Sequence, residues 1–183
     1  MPSSGISILV VGIFLAADVK KPILKEFTTR INEYVKLRDR AGQGLAPLKR
    51  EATPEQILEH TEALAMRLQK IRSHARQGDV LGPETQAYIR DIVRSETKGK
   101  QGKPAKEAVA QGNPKVETPA QPVPVKVNAR YPAAAPVSTM PPALLLRLPD
   151  LPKDLEYHFV GRDLVLLDTA ARIIVDYIPN VVP

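Results

Sequence analysis

The chain has 183 residues, 18 of them proline, with aromatics at 4% and neither cysteine nor tryptophan. The lack of cysteine excludes disulfides, thiol catalysis and thiolate-held zinc. Any core must be aliphatic, and the few aromatics argue against a base-stacking platform for nucleic acid.

The net charge of +6 divides unevenly. Residues 1–17 carry no charged side chain, and residues 18–93 carry 14 basic and 11 acidic ones. Residues 94–130 hold eight basic and three acidic side chains, and residues 131–183 hold four and six. The excess therefore sits mainly in a Pro/Gly/Lys-rich stretch and does not describe a folded basic face.

The first segment contains an apolar run from Ile6 to Ala17, broken by Ser7 and Gly12. Twelve residues fall short of the roughly 20 needed to span a bilayer. The length suits the apolar core of an export signal, with small residues Ala16 and Ala17 at its end. The alternatives are a buried first element of the fold and an anchor kept at the membrane. The position three before a cut after Ala17 is Leu15, and no basic residue precedes the run.

Residues 18–95 read as a helical module. Pro22 is placed to open a helix, whose apolar positions Ile23, Leu24, Phe27, Ile31, Tyr34 and Val35 recur at three- and four-residue steps. Gly42 in "AGQGLAP" is the expected end. The second helix has the clearest start in the chain: Thr53 as cap, Pro54 at the first helical position and Gln56 completing a capping box. Its stripe runs Ile57, Thr61, Leu64, Leu68, Ile71, Ala75, widened by Leu58 and Ala65, and Gly78 is expected to end it. A third helix begins near Pro83 and offers Ala87, Tyr88, Ile89, Ile92 and Val93. A helical hairpin or three-helix bundle is predicted.

Residues 96–136 show no apolar period and are rich in Pro, Lys, Ala, Gln and Gly. Such a segment cannot bury enough surface to offset its ordering entropy, so it reads as a disordered basic, Pro-rich linker. A weak electrostatic contact with an anionic surface is the sharper alternative.

Residues 137–183 read as a small β module. A short helical turn is expected from Pro141 to Arg147. Three strands follow in "LEYHFVGRDLVLLDTAARIIVDYI", joined by a turn at Gly161–Arg162 and another around Asp168–Arg172. Leu155, Tyr157 and Phe159 face one side, as do Leu164 and Leu166. For the third strand either Ile173, Val175 and Tyr177 or Ile174 and Ile178 supply the inner face. A lone three-stranded meander is marginal in water, so something must cover it. The fold class is α+β.

The charges in the module do not combine into a site by spacing. Arg162 and Asp163 lie at one turn, Asp168 and Arg172 at the other, about 15 Å apart at roughly 3.3 Å per residue. Glu156, Asp163 and Asp176 converge only under a register that the sequence leaves open. His158 with one carboxylate falls short of a metal set. His60 and His74 on the second helix stand roughly 21 Å apart along the axis. Turn chemistry and protection of sheet edges account for the β-module charges. There is no Gly-rich phosphate loop, H-E-x-x-H or G-x-S-x-G pattern. The reading assigns no catalytic, cofactor-binding or metal residues, no cofactor and no small-molecule substrate.

The stretch "YPAAAPVSTMPPALLLRLPDLPKDLEYHFVGRDLVLLDTAARIIVDYIP", with "GPETQAYIRDIV" upstream, resembles uncharacterised exported bacterial proteins with a signal segment, helical region, variable linker and Leu/Pro-rich β module. Its strand–turn–strand pattern is also similar to small periplasmic modules, including those of nickel/cobalt-homeostasis proteins. The resemblance covers about residues 55–95 and 131–180. It implies an envelope location, periplasmic in type, and a non-catalytic role, with no functional residue to carry over. The expected function is protein–protein interaction or self-association at the cell envelope. The rival expectation is a cytoplasmic nucleic-acid-associated protein using the Lys-rich segment.

Overall fold

The computed structural model describes residues 11–98, 102, 104, 107, 123–132, 135, 138 and 140–182, with α1 side chains from Lys20 onward. Most of the expected linker, and residues 1–10 of the expected signal segment, lie outside the described residues.

The first helix, α1, runs Val11–Gly42 and carries Pro22 in its interior. The expected start at Pro22 is corrected. A proline inside a helix removes one backbone donor but does not by itself end it. The apolar sequence before Pro22 thus continues into the amphipathic part as one helix. Downstream, Phe27, Ile31 and Tyr34 are buried at the expected spacing, and Ala41 joins them one residue before the end. The left-handed residue after α1 is Gly44, at φ 75°, and not Gly42.

The second helix, α2, spans Pro54–Ile71 and starts with the expected capping box: the Thr53 hydroxyl accepts from Gln56 N–H and the Gln56 side chain accepts from Thr53 N–H. Thr61, Leu64, Ala65 and Leu68 are buried, whereas Ile57 and Ile71 at the two ends of the stripe are exposed. The helix ends at Ile71 and not at the expected Gly78: Arg72 is its C-cap at φ −102°, ψ 26°, with its N–H still bonded to Leu68 C=O at 2.8 Å and its side chain buried. Helix α3, Pro83–Thr97, buries Ile89, Ile92 and Val93. A single-turn helix, α4, covers Pro142–Leu145.

Strands β1 (Leu155–Val160), β2 (Asp163–Asp168) and β3 (Ile173–Ile178) form an antiparallel sheet in the order β1-β2-β3, confirming the predicted meander and the α+β class. Val160 pairs with Asp163, which leaves Gly161 and Arg162 as a two-residue hairpin loop. Gly161 takes φ 60°, the conformation for which glycine has no steric penalty.

The β2–β3 ladder slips between Leu166 and Leu167: Leu166 pairs with Asp176 but Leu167 pairs with Ile174. Val175 is the extra residue of a bulge, and a bulge reverses the alternation beyond it. This resolves the ambiguous third strand. Ile173 and Val175 face the helices before the bulge, Asp176 and Ile178 face them after it, and Tyr177 turns to the other side.

Both faces of the sheet are covered. Leu155, Tyr157, Phe159, Leu164, Leu166, Ile173, Val175 and Ile178 pack in one cluster with Phe27, Ile31, Leu64, Leu68, Ile89 and Val93 of the three helices and with Leu144 and Leu148. The helical region and the β module thus share one core. The reverse face, Val165, Leu167 and Ile174, packs under Tyr131 and Ala135, flanked by Val123 and Val125.

The last part of the expected linker is therefore built into the fold. Asn128 N–H bonds Ile174 C=O at 2.9 Å, Ile174 N–H bonds Ala129 C=O at 3.0 Å and Tyr131 N–H bonds Arg172 C=O at 2.8 Å, so this segment lies along the outer edge of β3. At the opposite edge, the Ser138 hydroxyl oxygen accepts from Phe159 N–H at 2.7 Å.

Candidate functional site

Buried charge concentrates at the seam between the helices and the sheet, where Asp168 and Asp176 are fully buried and Arg72 nearly so. The bulge explains the first half of this arrangement. Placing Val175 outside the ladder frees its carbonyl, and turning Asp176 inward buries a carboxylate; both need partners.

Arg72 Nη2 donates to Val175 C=O at 2.9 Å, and its Nη1 donates to Asn128 Oδ1 at 2.8 Å. Asp176 receives the loop between α2 and α3. Gly78 N–H reaches its two oxygens at 3.0 and 3.1 Å, Val80 N–H at 2.9 Å and Leu81 N–H at 2.8 Å, while Tyr177 N–H donates at 2.8 Å. Gly78 adopts φ 92°, which lets the loop curl its N–H groups onto one carboxylate. Burial pushes the Asp176 carboxyl above the usual carboxylate range, and the backbone donors offset part of that rise.

Asp168, at the end of β2, is held from three sides. The Tyr34 hydroxyl donates to Oδ2 at 2.7 Å, Ala171 N–H donates to Oδ1 at 2.9 Å and the Arg38 guanidinium lies 3.6 Å from Oδ2. The Arg72 guanidinium stacks 4.9 Å from the centre of the Tyr34 ring, joining the two halves of the seam. Burial, with the neighbouring Asp168 charge, raises the Tyr34 phenol far above its ordinary value, so it stays a donor. Burial lowers the Arg72 guanidinium, opposed by Tyr34 and the carboxylates.

Among the residues weighed from sequence, Asp163 and Asp168 do perform turn chemistry: Asn180 N–H donates to Asp163 at 2.8 Å, as Ala171 N–H does to Asp168. Arg162 bonds Val182 C=O at 3.1 Å and Arg172 bonds Pro132 C=O at 2.7 Å. Asp176 differs from the edge-protecting role expected of it, since it is an interior acceptor for another segment. Glu156 and His158 meet at 2.8 Å, and the second His158 nitrogen lies 3.0 Å from Ser138 C=O, so this buried histidine ties the β1 edge to the segment before α4.

His60 is half-buried on α2, whereas His74 is exposed in the turn beyond its end at Ile71, so the expectation that both lie on the second helix is corrected. Among the described residues, no group of three or more histidines and carboxylates could hold a metal ion. Sequence reasoning missed Tyr34, Arg72 and Asn128 as partners; a lone Asp in "IIVDYI" was the available signal that a buried carboxylate needed donors.

The chemistry of the seam is cohesive: its acceptors are occupied by donors of the same chain. Uncovered apolar surface lies elsewhere. At the α1–α2 turn a groove of about 400 Å³ is lined by Leu45, Pro47, Leu48, Ala52, Gln56 and His60. Beside it Leu48 is 45% exposed, Ile57 47% and Leu58 51%. No protein-family model, curated protein or solved structure matches this chain.

Proposed function

We propose that this is a non-catalytic, exported protein of the bacterial envelope, periplasmic by its sequence pattern, that acts by binding a protein partner through the α1–α2 turn. The observation that carries the reading is the contrast in how charge and apolar surface are used. The buried charges of the seam are committed to holding the fold together, as Asp168 and Asp176 illustrate. Leu48, Ile57 and Leu58 are left uncovered on a turn that the capped start of α2 holds in place. Ordered apolar side chains grouped on one surface are what a partner interface requires.

The test pairs location with contact. A photo-crosslinking residue at position 57, in cells expressing the full chain, is expected to capture a discrete protein partner in the envelope fraction. Leu48→Ser with Ile57→Asp should abolish that capture without loss of helical signal. Recovery of the protein in the cytosol with bound nucleic acid, and no crosslink from position 57, would instead support the Lys-rich segment as the working part.

A further inference from the structure

Leu145 and Leu146 form a second exposed apolar feature, at the other end of α1. Leu146 is 87% exposed and Leu145 57%, although Leu144 on the same turn is fully buried. The pair is held outward by its surroundings. Leu148 N–H bonds Leu144 C=O at 3.0 Å, and the Arg147 guanidinium is fixed on α3 by Glu96 and by Ser95 Oγ at 2.9 Å. A groove of about 290 Å³ runs beneath, where Leu146 and Arg147 meet Lys20, Leu24 and Phe27 of α1 and Tyr88 of α3.

Lys20 borders this groove. Its ammonium sits 5.6 Å from the centre of the Tyr88 ring, so the groove closes on α1 at that position. From Lys20 back to Val11 the same helix carries the sequence VGIFLAADV, and Ile6–Val10 extend the apolar run in sequence. The leucine pair, the apolar start of α1 and the exposed Lys20 and Lys21 thus share one end of the molecule. The α1–α2 turn lies at the far end, roughly 33 Å along the helix at 1.5 Å per residue. The helical residues Val11–Val19, apolar in sequence apart from Asp18, bordered by lysines and backed by protruding leucines, have the composition of an interfacial anchor.

We propose that this end of the protein seats on an anionic phospholipid surface, with Leu145 and Leu146 entering the boundary between headgroups and acyl chains and Lys20 and Lys21 meeting the phosphates. Arg147 is paired with Glu96, Asp150 lines the groove and Asp18 precedes the lysines in α1, so the exposed Lys20 and Lys21 are the cations left to meet the phosphates. The arrangement orients the α1–α2 turn away from the lipid. It does not depend on the protein partner proposed above, but it requires that the apolar start of α1 stays on the chain after export; its test contains only lipid and the full chain.

The test is co-sedimentation of the full chain with vesicles of phosphatidylglycerol and phosphatidylethanolamine, against neutral phosphatidylcholine vesicles. Binding to the anionic vesicles is expected, weakened by salt. Leu145→Ser with Leu146→Ser should lower the partition by about tenfold or more. Lys20→Glu with Lys21→Glu should remove the preference for anionic lipid. Leu48→Ser, at the far end, should change nothing. The chain has no tryptophan, so Leu146→Trp supplies a single reporter whose emission should shift to the blue on anionic vesicles. Absence of vesicle binding, binding unchanged by the leucine substitutions in a variant of intact helical signal, or an unshifted indole emission would each overturn the proposal.

Discussion

On the sheet, Leu164, Leu166 and Phe159 lie beneath the helices, and Val165, Leu167 and Ile174 lie beneath residues 123–135. At the ends of the helical layer, Leu48, Ile57, Leu145 and Leu146 lie in the open. The difference follows from geometry. A meander of three six-residue strands has two faces and two edges to protect and cannot stand alone. The chain supplies helices to one face, a proline-rich segment to the other, and the same segment to the β3 edge. A helix, by contrast, satisfies its own backbone and can project past the core without penalty beyond its exposed side chains. The sheet is thus where the protein invests its cohesion, and the helix ends are where it can meet other surfaces.

Substitutions at the seam should break this contrast most severely. Asp176→Ala leaves the Gly78, Val80 and Leu81 N–H groups without their buried acceptor, and a loss of about 4 kcal/mol is expected, read as a fall in the urea midpoint. Tyr131→Ala uncovers the reverse face of the sheet, with a loss of about 3 kcal/mol in the same measurement. Tyr34→Phe removes one charge-assisted hydrogen bond to Asp168 and should cost about 2 kcal/mol.

The pH dependence sharpens the role of Asp176. Its folded-state carboxyl is raised, so its contribution to stability is fullest below the unfolded-state value of about 4 and declines as pH rises through the raised folded value. The stability advantage over Asp176→Asn, which does not titrate, should therefore narrow between mildly acidic and neutral pH, as measured by urea midpoints at each pH. The smallest effect is expected at Tyr157, whose hydroxyl is buried and has no hydrogen-bond partner among the described residues. Tyr157→Phe should be neutral or stabilising by up to about 1 kcal/mol in thermal melts, because a buried unpaired hydroxyl is removed with little change of shape.

Local signals in the sequence carried much of this architecture. The Thr53–Gln56 capping box, the Gly161 hairpin and the alternation of β1 each depend on a few neighbouring residues, and each appears where expected. Three features depended on distant partners and were not legible. The alternation of "IIVDYI" fits either face until the bulge at Val175 is known, and the bulge is stabilised by Arg72, about a hundred residues away. Arg72 read as one more basic residue near a helix end. Residues 123–132 looked like spacer because the 96–136 stretch that holds them shows no apolar period, yet Asn128 and the buried Tyr131, the one aromatic between 96 and 136, fasten them to β3. The seam was hidden for the same reason: Asp168 and Asp176 looked like surface charges on a small sheet until the helices were placed over it.

The central claim is that helices and sheet open as one unit held by the seam. Native-state amide hydrogen exchange tests it directly, comparing Leu68 in α2 with Leu166 in β2. The account predicts the same opening free energy at both amides, lowered by the same amount in Asp176→Ala. Exchange at Leu68 that proceeds independently of Leu166, and is unmoved by Asp176→Ala, would contradict it.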